Sequence, residues 1–130
     1  PALPVSPSRT SVPLAALLLP LPLLFHLRLV RAEPAPNATL ATPPAAVRLW
    51  LSQRPELGVT TVRILDARGQ ALPTGALTRA EAANAPIVVP LTRPPAAGRY
   101  TVRWRTMARD GHVVEGAFAF TVAAPAAAAR

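Results

Sequence analysis

Two histidines are the whole imidazole inventory of this 130-residue chain, His26 and His112, and Asp110 stands two positions before the second of them. Imidazole and carboxylate at that spacing, Asp110-Gly111-His112, bring a nitrogen and an oxygen donor to one tight turn. There is no cysteine, so any metal site here must use nitrogen and oxygen ligands. His26 follows an apolar run. If export processing makes it the first residue, its α-amine and imidazole chelate one ion, and Asp110 and His112 supply two more donors. Tetragonal nitrogen and oxygen ligation suits Cu(II) better than zinc, and copper heads the divalent affinity order. The plainer readings remain open at this level: Asp-Gly is also an ordinary turn, and His26 can belong to the export segment without further role.

The turn must be carried by strands. Tyr100, Val102, Trp104 and Thr106 alternate with Thr101, Arg103, Arg105 and Met107, which predicts a strand with one buried face; Val114, Phe118, Phe120 and Val122 repeat the pattern beyond the turn. Residues 98–122 are therefore expected to form a hairpin that presents Asp110 and His112 at its tip. Arg109 and Glu115 flank that tip, placed to orient ligands from outside.

Further strands are expected at Leu27–Glu33, Ala46–Ser52, Val59–Leu65 and Ile87–Leu91. Pro34–Ala38 and Asp66–Gly69 have turn composition, and a short helical turn is expected around Thr78–Ala83. Short strands at this spacing predict an all-β, Ig-like Greek-key β-sandwich or small cupredoxin-like barrel, formed by one domain. Trp50 falls on the strand face opposite Leu49 and Leu51, where it packs, covers a sheet edge or shields a site. The domain is expected over 26–122, preceded by a signal peptide or export segment over 1–25 and followed by a disordered Ala-rich tail over 123–130. The apolar run Val12–Phe25 is interrupted by Pro13, Pro20 and Pro22 and is short for a membrane-spanning helix. Cleavage before His26 is poorly marked; Val30-Arg31-Ala32 offers a rival site that would leave Glu33 first.

The formal charge is +8, and all 14 basic residues are arginine. Arg48, Arg63, Arg103 and Arg105 are scattered on outward strand positions, and the few aromatics fall largely on core positions. Nucleic-acid binding, which wants a clustered basic face with aromatic platforms, is disfavoured. No serine or cysteine nucleophile constellation is present, so catalysis is not expected.

The motifs together resemble the CopC family of periplasmic copper-binding (copper resistance) proteins. The resemblance is carried by His26-Leu-Arg-Leu-Val-Arg-Ala-Glu-Pro-Ala-Pro-Asn-Ala-Thr-Leu40, Pro44-Ala-Ala-Val-Arg-Leu-Trp-Leu-Ser52, Gly98-Arg-Tyr-Thr-Val-Arg-Trp104, Asp110-Gly-His112 and Gly116-Ala-Phe-Ala-Phe120. It implies one Cu(II) ion held by His26, Asp110 and His112 outside the cytoplasmic membrane, for sequestration, resistance or delivery to a CopD-like membrane copper transporter. Some family members carry a glutamate where this chain has Gln53. The family's methionine-rich Cu(I) site has no counterpart, since Met107 is the one methionine, so no Cu(I) thioether site is expected. Two rival functions carry other implications: a copper-brace oxidative enzyme built on the same scaffold, and a metal-free β-sandwich interaction module.

Overall fold

The computed structural model describes residues 1–6, 8 and 26–125. Most of the expected export segment, 1–25, lies outside the described residues, as does the tail from 126 onward. Among the described residues no helix is long and apolar enough to cross a membrane.

Among the described residues seven strands form: β1 (Leu29–Glu33), β2 (Thr39–Leu40), β3 (Ala46–Leu51), β4 (Thr61–Leu65), β5 (Ile87–Pro90), β6 (Gly98–Met107) and β7 (Val113–Val122). They build a three-stranded sheet in the order β1-β3-β5 and a four-stranded sheet in the order β2-β7-β6-β4. Pairing is antiparallel except between β2 and β7. Every connection between successive strands passes from one sheet to the other, save the β6–β7 hairpin. That hairpin is the longest paired unit, with Gly98 opposite Val122 at one end and Met107 opposite Val113 at the other.

The expected alternation is what the sheets bury. Val47, Leu49, Ile87 and Val89 from one sheet meet Ile64, Val102, Trp104 and Phe120 from the other in a single apolar cluster. Arg48, Arg63, Arg103 and Arg105 point to water on the intervening positions. Tyr100 stacks on Phe120 with ring centroids 5.4 Å apart, and its hydroxyl donates to the Ala96 carbonyl at 2.6 Å, so this large side chain is buried without an orphaned polar atom. Phe118 is half-buried at the edge of the same cluster. Opposite Trp104 the partner strand carries Gly116, and a Cβ there would collide with the indole ring. The glycine lets the tryptophan lie flat across β7.

Three local expectations are corrected. The first strand starts at Leu29 rather than Leu27, because Arg28 turns its N–H onto the Ser52 hydroxyl at 2.9 Å and the register slips between Leu29 and Arg31. The third expected strand loses its first two residues, since Leu57–Val59 curls into a 3₁₀ turn closed by the Thr60 N–H on the Leu57 carbonyl at 3.1 Å. No helical turn forms at 78–83. Thr78 exchanges both backbone hydrogen bonds with Val88, at 3.1 and 2.8 Å, extending the sheet instead. Strand β2 was too short to show any period and pairs only with the end of β7.

Candidate metal centre

The β6–β7 turn is closed by its own backbone. Ala108 donates to the His112 carbonyl at 2.8 Å and Gly111 to the Ala108 carbonyl at 2.9 Å. Gly111 has φ +85°, a conformation that favours glycine, which explains a glycine between two donor residues.

This turn brings Asp110 and His112 into direct contact. One carboxylate oxygen, Oδ1, accepts the His112 backbone N–H at 3.0 Å, and the other, Oδ2, lies 2.7 Å from His112 Nδ1. Those two bonds, the backbone one foremost, hold the Asp110 carboxyl below the ordinary carboxylate range, against a small opposing effect of desolvation. An ionised carboxylate only accepts hydrogen bonds, so Nδ1 carries the proton of the neutral ring and Nε2 presents its lone pair to water. The imidazole is 83% exposed, so an ion reaches it freely. Each carboxylate oxygen also keeps a second lone pair.

His26 enters the same end of the sandwich through two consecutive residues just past β3. The Ser52 hydroxyl donates to the His26 carbonyl at 3.3 Å and accepts the Arg28 N–H, while the Ser52 N–H donates to the Arg28 carbonyl at 2.9 Å. Gln53, next in sequence, accepts the Arg109 N–H on its side-chain oxygen at 3.2 Å. The Ser52-Gln53 dipeptide thus ties the His26 segment on one side and the Asp110–His112 turn on the other. Among the described residues, however, no three His, Asp or Glu side chains converge closely enough to hold a metal ion. The structure assembles the Asp110–His112 pair, and Ser52 and Gln53 connect its turn to the His26 segment without joining the three side chains.

The other flanking residues have separate occupations. Glu115 pairs across the strands with Arg105 at 3.6 Å rather than with either side chain of the Asp110–His112 pair it was expected to orient from outside. Trp50 is half-buried beneath the Arg31 guanidinium, 4.5 Å from its ring centroid, and Arg31 in turn pairs with Glu33. This is packing on the outer face of β3. Ser52 and Gln53 are what sequence reasoning undervalued: two polar residues directly after a buried strand are a fair sign of a bracing role.

A seven-stranded, two-sheet sandwich with an Asp-Gly-His turn at one end of its longest hairpin defines a class of small β-domain with a nitrogen and oxygen donor pair. The CopC domain model matches residues 29–123, and the chain belongs to the CopC family. The match covers Asp110 and His112 and starts three residues after His26. Among curated relatives, protein YobA of Escherichia coli K12 is 31% identical over 97 residues, 75% of this chain and 78% of that protein. Copper resistance protein C of Xanthomonas campestris pv. juglandis is 28% identical over 102 residues, covering 75% and 80%. The crystal structure of CopC from Methylosinus trichosporium OB3b superposes with a TM-score of 0.67 at 30% identity, covering 81% of this chain and all of that one. PcoC of Escherichia coli, described as a methionine-rich copper resistance protein, shares the fold with a TM-score of 0.61 at 24% identity, covering 75% and 98%.

Proposed function

We propose that this chain binds one Cu(II) ion through His26, Asp110 and His112 in the periplasm, and buffers it or passes it to a CopD-like membrane transporter. The observation that carries the reading is the Asp110–His112 pair: a rigid turn orients an exposed imidazole, and a carboxylate that stays ionised sits against it. Imidazole, carboxylate and a terminal amine make the nitrogen and oxygen donor set that Cu(II) prefers. The net charge of +8 repels free cations, so affinity must come from chelation rather than from the protein's field. Binding and transfer call for no reaction step, and the domain serves as a carrier rather than a catalyst. Copper resistance protein C and PcoC support the metal by their descriptions, while location, oxidation state and stoichiometry rest on the donor chemistry and the family resemblance.

The test is Cu(II) titration of a protein beginning at His26, followed by native mass and by electron paramagnetic resonance. One ion is expected, with nitrogen hyperfine structure. His112→Ala is expected to weaken binding by well over tenfold, and Asp110→Asn, which removes a ligand charge as well as the acceptor that orients the His112 ring, by at least the roughly 10–100-fold typical of losing the orienting partner alone. Placing one extra residue before His26 removes the free amine next to the imidazole and is expected to weaken binding at least as much as His112→Ala. Equal Cu(II) affinity in the original and His112→Ala proteins would refute the assignment.

A further inference from the structure

A cleft of about 540 Å³, with Arg109 in its wall, opens against β3 and the 79–85 segment. That is the size of a small-molecule site rather than of a macromolecular face. Val30 and Trp50 contribute apolar and aromatic surface, Asn84 an amide, and Arg54, Arg79 and Arg109 positive charge.

Two of these arginines are built into place. Arg54 donates through Nη1 to the Ala82 carbonyl and through Nη2 to the Ala80 carbonyl, both at 2.9 Å. Arg79 donates through Nη1 to the Pro55 carbonyl at 2.7 Å. Each guanidinium has five N–H donors, so each retains several beyond these clamps. The two charges act on one another: burial first, then the like charge of Arg54, pushes the Arg79 guanidinium below its ordinary value, with Glu56 opposing from a distance. Yet among the described residues neither Arg54 nor Arg79 has a carboxylate within ion-pair distance; the pairs formed are Arg31 with Glu33, Arg105 with Glu115 and His112 with Asp110. Arg54 is exposed and Arg79 partly exposed, so water screens much of their repulsion, and an anion bound between the two relieves what remains.

The geometry points to a binding site for a small organic polycarboxylate, clamped between Arg54 and Arg79 with its carbon skeleton against Val30 and Trp50. The planar guanidinium fork matches carboxylate geometry in a two-bonded fashion, and two forks in one cleft select an anion bearing more than one carboxylate. Inorganic phosphate would satisfy the charge and leave the apolar wall uncovered. The site stands on the arginine pair alone and requires no copper.

Citrate is the probe. Copper-free, ¹⁵N-labelled protein is titrated at low ionic strength, where exposed charges are least screened, and the arginine Nε–Hε signals are followed. Saturable shifts of the Arg54 and Arg79 signals are expected, with affinity for citrate about tenfold or more above that for inorganic phosphate. Arg79→Gln is expected to weaken citrate binding by about tenfold or more, while Arg63→Gln, which removes the same charge from the outer face of β4, leaves it unchanged. The titration of the unaltered protein stands even where Arg79→Gln perturbs folding through the lost Pro55 clamp. Absence of saturation at tens of millimolar citrate, equal affinity for phosphate, or equal weakening by Arg63→Gln overturns the proposal. Because no copper is present, none of these results depends on the Cu(II) site.

Discussion

At the scale of residues, the chemistry rests on how Asp110 is held. Its carboxyl is depressed by hydrogen bonds that exist only when the turn is formed. A group whose folded pKa lies below its unfolded value contributes stability above the unfolded value, near 3.9, and loses it as pH falls through the lowered folded midpoint. The turn therefore keeps its ionised carboxylate throughout the neutral and mildly acid range. In copper-free protein, the Asp110 carboxyl carbon is expected to titrate with a midpoint below about 3.9 by NMR, with the His112 amide shift following the same curve. A midpoint at or above that value would mean that the two bonds to His112 do not persist in solution. The carboxylate is exposed, so the effect is local to the turn.

Elements matter through what anchors them beneath the turn. Thr106 lies in β6, one residue before Met107, and is only 1% exposed. The Thr60 hydroxyl, at the start of β4, donates its one hydrogen to the Glu56 carbonyl at 2.7 Å, so the 2.8 Å contact between the two threonines must have Thr106 as donor. The pair is directional, and its two halves are not equivalent. Thr106→Val leaves the Thr60 hydroxyl bonded to Glu56 and is expected to cost about 1 kcal/mol; Thr60→Val strands the buried Thr106 hydroxyl, while the Glu56 carbonyl keeps the Val59 N–H at 3.3 Å, and is expected to cost about 1–3 kcal/mol. Chemical denaturation of both single variants and the double variant checks this. The double variant should lose less than the sum, and a larger loss in Thr106→Val than in Thr60→Val would reverse the donor assignment.

For the whole molecule, the proposed copper site would link metal binding to folding, because the His26 segment, the β3 end and the β6–β7 turn come together only in the native sandwich. An ion that binds the native state alone stabilises it by about 2.7 kcal/mol at a hundredfold excess over Kd. In a domain of this size that corresponds to a rise in Tm of roughly 10 °C or more. Calorimetry of protein beginning at His26 is expected to show that rise with Cu(II), and His112→Ala is expected to abolish most of it. An equal rise in both proteins would place the ion elsewhere.

Alternation and turn chemistry along the chain suffice for the sandwich, the hairpin over 98–122 and the residue types at its tip. Period-two alternation is a local property, and Gly111 between two donor residues declares its turn without reference to the rest of the chain. Local composition misleads at 78–83, where it favours a helical turn while Val88, ten residues on in β5, pairs with the Thr78 backbone instead. Only the tertiary structure could decide which way Asp110 spends its two oxygens, that Ser52 and Gln53 brace two segments at once, or that Arg54 and Arg79 share one cleft. The last two depend on residues 24 to 56 positions apart being folded against one another, and no spacing along the chain encodes them; the first is set within the two-residue span of the turn itself.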